Sequence, residues 1–396
     1  MTTPTSQRAP GGTRGRWRGG GPLPRRVRGK GPLGGRAVVL ALVGVVVAAV
    51  AVAVARSILQ ASGPSLTVGA WTAARVPQAT TIHGFLRAPS GTVYAATAMG
   101  VYRSADNGAT WTTMGQGFPD AGTQAFSLAV LPGTDAAQHT DVLLAAADDG
   151  SIYRLPLNDR SDGANSRWER SGAPVGAGAY SLLALPAPGT ALAGTDRGIV
   201  RSNDGGRSWR LVAAIAGGDV AAFARDPASG AIYAGLAGLP RPLRVSTDGG
   251  LTWRTPSASL PPPSVESLLI SSGRLYVGVM QTSGQLPVWS GALASGGRAP
   301  AFAPSSTGLP GANAHGMALA ASDSAGDRVL VGTMGLGVFA RVGHAAWTPL
   351  GNLASLDPNM GAGTVTALAI LPGQSAAQRP IVLAGAGQGI YRTLLP

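Results

Sequence analysis

Ser-Ala-Asp-Asn-Gly-Ala-Thr-Trp at 104–111, Ser-Asn-Asp-Gly-Gly-Arg-Ser-Trp at 202–209 and Ser-Thr-Asp-Gly-Gly-Leu-Thr-Trp at 246–253 are three copies of one phrase, S-x-D-x-G-x-[ST]-W. A phrase returning in an otherwise non-repetitive chain marks an architecture built from copies of one unit. Its residue types predict a tight hairpin turn. Asp106, Asp204 and Asp248 each offer a short carboxylate to nearby backbone N–H groups. Gly108, Gly206 and Gly250 supply the positive φ that such a turn demands. Ser104 and Thr110 are expected to tie the ends of the first copy together, and Ser202 and Ser246 lead the other two. Trp111, Trp209 and Trp253 then open the next strand and bury a large ring between neighbouring sheets. Such a corner satisfies itself. The three aspartates are far apart in sequence and each has a local task, so they are read as structural, not as catalytic or metal-binding.

Working outward, short apolar runs start a unit at Ile82, Ala125, Ala179, Val220, Val265, Ala314 and Val365, at steps of 41 to 54 residues. That is near the period of a four-stranded blade. Two further strand-like runs follow each start, then the phrase or a degraded copy ending at Trp168, Phe302 or Trp347. The last unit runs out at Tyr391-Arg392-Thr393-Leu394-Leu395-Pro396 with no phrase and no Trp. Trp71-Thr72, ahead of the first unit, matches the outer-strand starts Trp111-Thr112 and Trp347-Thr348. Residues 66–76 are therefore expected to supply the missing fourth strand and close a ring, removing free sheet edges. The prediction is an all-β, seven-bladed β-propeller over 66–396.

The phrase resembles the Asp-box, or BNR repeat, of sialidases, sortilin-like receptors and photosystem II assembly-factor-like proteins. The resemblance implies a propeller whose boxes lie on the face away from the binding site. It also implies one activity to weigh. Sialidases hold a substrate carboxylate with three arginines and use a Tyr–Glu nucleophile pair with an Asp acid/base. Here Arg87, in Phe85-Leu86-Arg87-Ala88-Pro89, resembles their Arg-x-Pro motif, and Arg225 is the other inner-strand arginine. Glu266 with Tyr180 would be the nucleophile pair, and no third arginine is apparent.

The rest of the chain sets the location. Of the 31 basic side chains, nine lie in residues 1–36, which hold no acid and are interspersed with Gly and Pro. A segment of that composition has nothing to bury and is expected to be disordered. Without it the formal charge of +13 falls to about +4. Residues 37–55 contain no polar side chain and, as a helix, would span about 28 Å, close to the hydrocarbon thickness. The lopsided charge places the tail in the cytoplasm and everything after the short stalk at 56–65 outside the cytoplasmic membrane. The small residues at 51–55 would also suit a cleavage site, but the long basic lead and the long apolar run favour a single-pass anchor. The tail reads as topology signal and lipid contact, and no nucleic-acid partner is expected.

The sequence has no Cys, which excludes disulfides and thiolate zinc sites. No metal or cofactor motif is visible. The second positions of the inner runs, His83, Phe126, Tyr180, Ala221, Glu266, His315 and Thr366, are expected to ring the channel mouth. His83, Phe126, Tyr180, Glu266 and His315 suit a polar or sugar-like ligand. Asp219, Asp226 and Glu266 are the acids near the inner strands of units four and five. Long Gly/Pro/Ser-rich loops at 132–140, 155–167, 282–301 and 372–380 suit partner contact. The expectation is a membrane-anchored, non-catalytic scaffold for an unidentified protein or cell-envelope glycan, with a sialidase-like exo-glycosidase as the alternative.

Overall fold

The computed structural model describes residues 66–396 except 115–117, 119–121, 134–140, 158–166, 173–174, 257–259, 261–263, 281–286, 295–299, 311–315, 323–326, 354–363 and 374–377. The predicted tail, anchor and stalk lie outside the described residues, as do His315 and most of the four long loops. Among the described residues no helix is long and apolar enough to cross a membrane.

Seven antiparallel sheets follow one another along the chain. Their innermost strands are Ile82–Arg87 (blade I), Ala125–Leu131 (II), Ala179–Ala184 (III), Asp219–Arg225 (IV), Ser264–Ser271 (V), Gly316–Ser322 (VI) and Val365–Leu371 (VII). Second strands such as Val93–Thr97 and Ala191–Thr195 are buried along their whole length, as expected for short apolar runs covered on both faces. Small residues let adjacent blades approach near the axis. A Cβ on Gly385 of blade VII would lie 2.5 Å from Cβ of Ile82 in blade I. The architecture is a seven-bladed β-propeller.

The fourth strand of blade VII comes from the other end of the domain. Thr72–Ala73 pairs with the last strand, Gly389–Leu394, matching Thr72 with Arg392 and Ala73 with Tyr391. Three further ties fasten the join. Trp71, 6% exposed, donates its indole N–H to Leu350 O of blade VI at 2.7 Å. Arg75 exchanges backbone hydrogen bonds with the first phrase, accepting from Trp111 N and donating to Ala109 O, both at 2.9 Å. Thr366 Oγ1 of blade VII donates to Ile82 O of blade I at 2.5 Å.

The three phrases form one geometry on the face where third strands end. In the first, Ser104 Oγ donates to Asp106 Oδ1 at 2.8 Å and accepts from Gly108 N at 2.9 Å. Asp106 also accepts Ala109 N, Thr110 N and the Thr110 hydroxyl at 3.0, 2.9 and 2.6 Å. Gly108 has φ 79°, and a Cβ there would lie 2.7 Å from Leu383 of the preceding blade. The glycine thus serves both the turn and the packing between blades. Burial pushes the three carboxyls upward, but the hydrogen bonds to each outweigh it, holding Asp106 and Asp204 below the usual range and Asp248 at about 2.

Where the phrase is degraded, other bonds join the blades. Trp168 and Trp347 donate to Met114 O and Ser305 O of the preceding blade, at 2.7 and 2.6 Å. Trp111 and Trp253, by contrast, donate to their own glycine carbonyls at 3.0 and 3.1 Å. Arg341, 7% exposed, lies about 5 Å from the ring centroids of both Tyr276 and Trp347. It also donates to Ser305 Oγ and Tyr276 OH at 2.7 and 3.1 Å. Among the described residues blade IV has three strands, with a Val245–Arg254 bridge beyond them. Extending that pairing would need a donor at Pro256, which has no N–H.

Two outcomes follow from these contacts. Trp71→Ala should lower unfolding stability by about 3–5 kcal/mol in urea titration, through the lost ring and the bond that crosses the seam. The aspartates of the phrases have folded pKa values below their unfolded value of about 3.9. Their stabilisation is therefore complete above about pH 5 and is lost as pH falls toward about 2. Asp106→Asn should lower the melting temperature at pH 7 and show a smaller drop than wild type between pH 5 and 2.

Candidate functional site

One irregularity repeats in all seven blades. In blade I, Ile82 pairs with Thr97 and Gly84 with Ala96, so His83 is skipped. The same skip occurs at Phe126, Tyr180, Ala221, Glu266, Met317 and Thr366. A bulge leaves one residue outside the ladder and re-aims its side chain. In blade VI the bulged position is 317, because Gly316 pairs with Thr333 as Ile82 does with Thr97. The expected register there began two residues early, and His315 is not the equivalent position.

Residues after the bulge lock it in place. Ser181 Oγ donates to Val220 O at 2.8 Å, and Leu182 N donates to Ser127 Oγ at 3.1 Å, each crossing to a neighbouring blade. Small residues occupy this third position throughout: Gly84, Ser127, Ser181, Ala222, Ser267, Ala318 and Ala367.

The bulged residues of blades I–V and VII line a cavity of about 560 Å³ at the axis, among them His83, Phe126, Tyr180, Glu266 and Thr366, with Asp219 beside them in the lining. His83, Phe126 and Tyr180 form a continuous aromatic arc, with centroid separations of 4.9 and 5.7 Å. His83 Nε2 and Gln124 Oε1 share a 3.1 Å hydrogen bond. Gln124 is held in turn by Asp148 Oδ1, which accepts its N–H at 3.0 Å.

The balance of charge in the cavity is acidic. Burial lowers the His83 pKa, outweighing the hydrogen bond to Gln124 and the charge of Asp148, so the ring is neutral at pH 7. Burial raises the Glu266 pKa, and burial together with the nearby Asp196 charge raises that of Asp219. The Tyr180 phenol is raised by burial and then by Asp219 and Asp196. No described Arg or Lys lines the cavity.

The structure brings Glu266 and Tyr180 to the mouth but not the two arginines weighed with them. Arg87 is exposed at the far end of its strand. Arg225 ends its own strand and lines a separate cavity of about 280 Å³ beside Asp248. Four residues of strand separate each arginine from the bulge position of its strand, about 13 Å. Asp226 is 7% exposed and closes the turn after Arg225, accepting Ala228 N at 3.1 Å and Ser229 Oγ at 2.5 Å. Asp219 and Glu266 are thus the acids of the mouth. Among the described residues no group of three or more His, Asp and Glu could hold a metal ion.

No family model matches the chain, and no curated protein matches it. Solved structures do. A GH74 xyloglucanase from Xanthomonas campestris aligns with TM-score 0.61 and 22% identity, covering 82% of this chain and 53% of the enzyme. The extracellular domain described as that of a one component system, BT4673 from B. thetaiotaomicron, aligns at 0.58 and 14%, covering 82% and 39%. YCF48 bound to D1 peptide aligns at 0.55 and 16%, covering 85% of this chain and 100% of YCF48. The chain thus spans about half of the xyloglucanase, two fifths of the BT4673 domain and the whole of YCF48. At these identities the likeness establishes the propeller fold.

The geometry of the mouth has a spectroscopic consequence. In NMR titration His83 should protonate at lower pH than an ordinary imidazole, and His83→Ala should remove that resonance without lowering the melting temperature by more than a few degrees.

Proposed function

We propose that this chain is a non-catalytic propeller that holds a partner at the channel mouth, anchored in the cytoplasmic membrane by residues 37–55 with the propeller outside. The observation that carries the binding reading is the repeated bulge, which brings one side chain from each of blades I–V and VII to the lining of a single cavity. A scaffold needs such a fixed recognition surface. A sialidase-like site would also need a cluster of cations for the substrate carboxylate, and no described cation lines this cavity. YCF48, matched over its full length, is a propeller bound to a peptide, and the BT4673 propeller is an extracellular domain. The anchor rests on the uninterrupted apolar run and the nine basic residues preceding it.

The full chain should release no fluorophore above buffer from a panel of fluorogenic sialosides, xyloglucan oligosaccharides and other glycosides. Turnover that vanishes in Glu266→Gln would overturn the scaffold reading. Because the chain has no Cys, topology is testable without background. In intact cells an impermeant maleimide should label Ser90→Cys and leave Ser6→Cys unlabelled until the cells are lysed.

A further inference from the structure

We infer that the channel mouth receives a basic side chain, Arg or Lys, presented by a segment of a partner protein whose neighbouring residues are apolar. This rests on the binding reading above and names its ligand. The site itself is the bulge-built cavity; its charge and its rim select the occupant.

Charge comes first. Asp219 and Glu266 line the cavity, and neither has an ion-pair or hydrogen-bond partner among the described residues. Both are partly buried, and burial raises both pKa values. Carboxylates drawn out of water without a partner are costly. The neighbouring acids do not relieve them. Asp148 is bound to Gln124 N, and Asp196 accepts Ala177 N at 2.9 Å. The imidazole of His83 is neutral at pH 7 and supplies no cation. A guanidinium or ammonium entering the mouth would give these carboxylates the charge they lack. An anionic sugar or phosphate would meet repulsion.

The wall suits the same group. Phe126 and Tyr180 line the same cavity as the two acids, and a cation against an aromatic face gains from the ring quadrupole. Thr366 is committed to Ile82 O and Gly385 O. It gives the blade VII side of the mouth no competing charge.

The rim indicates what carries the cation. Second strands run back toward the mouth, since Thr97 pairs with Ile82 at the start of the inner strand. The turns leaving them therefore surround the opening. On those turns Met99, Met334 and Leu336, and Met280 at the end of its second strand, are 39–42% exposed, in blades I, V and VI. Exposed methionines make adaptable apolar contacts, and an apolar arc around a charged socket fits a protein segment better than a polysaccharide.

The test is a selection of a displayed random dodecapeptide library on the full chain, run in parallel on an Asp219→Asn/Glu266→Gln variant and on Arg210→Ala as a control. Wild type and control should enrich peptides with one Arg or Lys flanked by Leu, Met or Phe, and the double variant should not. A synthetic peptide from the enriched set should bind wild type about tenfold more tightly than its Arg→citrulline analogue, which is neutral. That ratio should fall toward one on the double variant, whose melting curve verifies folding. Enrichment of peptides lacking a basic residue, or an unchanged ratio on the double variant, would overturn the inference. So would a glycan bound on an array and lost in the double variant, although binding at the mouth would then stand. Absence of any peptide or glycan ligand would sink the scaffold reading together with the inference.

Discussion

Thr72 and Ala73, paired in register with Arg392 and Tyr391, join strands more than three hundred residues apart, and the other blades depend on that seam. One four-stranded sheet of this size buries neither face by itself. Its cover is the next sheet, as in any stacked repeat. In a row the first and last sheets would each leave an apolar face and an edge open to water or to other chains. Closure removes both ends at once. It is fastened redundantly, by the Trp71 indole on Leu350, by Arg75 on the first phrase and by Thr366 on Ile82. In a chain without disulfides, these contacts supply the cross-link between the two ends of the domain.

The same logic divides the molecule into a stability face and a recognition face. Third strands carry the chain from the mouth to the opposite side, where the phrases sit, so Asp106, Asp204 and Asp248 spend their hydrogen-bonding capacity on their own turns. Their glycines press on leucines of the preceding blade: Gly108 on Leu383, Gly206 on Leu144 and Gly250 on Leu192. Blades without an intact phrase meet the same need differently, through tryptophans bonded to the preceding blade and through the Arg341 guanidinium between Tyr276 and Trp347. Packing between blades is the constraint. The phrase is one of several solutions to it.

How far each part was legible in sequence follows from how local its cause is. The turns were readable because Ser, Asp, Gly and Trp act within eight residues, and the bonds found between Ser104, Asp106 and Thr110 are those their chemistry dictates. The count of seven needed only the spacing of apolar starts and the stray Trp71. The site was read less well, because it depends on pairing between strands. A one-residue skip decides which side chain leaves the ladder, and in blade VI that is position 317. The arginines misled for a related reason. Arg87 and Arg225 belong to inner strands, yet a strand about 20 Å long has two ends, and sequence proximity to the mouth residues hides four residues of rise. Asp219 was visible as an acid, but its place in the lining follows from standing two residues before the bulge of its blade.

A fold built from repeats would most simply place similar residues at equivalent positions around its axis, and the bulge positions do not. The third residues are small in every blade, and those of blades I and III face the next blade, Gly84 toward Phe126 O and Ser181 toward Val220 O, whereas the bulged residues run from Ala221 to Glu266 to Tyr180. Interblade packing therefore constrains one position and leaves the adjacent one free to vary. An unpartnered carboxylate at such a position, Glu266, and a second two residues before the bulge of its blade, Asp219, lower the stability of the empty propeller, since nothing in the described fold compensates them. Local conflict with the rules that govern the rest of a structure is where function is to be sought. Here the conflict is confined to one face and one cavity, and the compensation it lacks is positive charge.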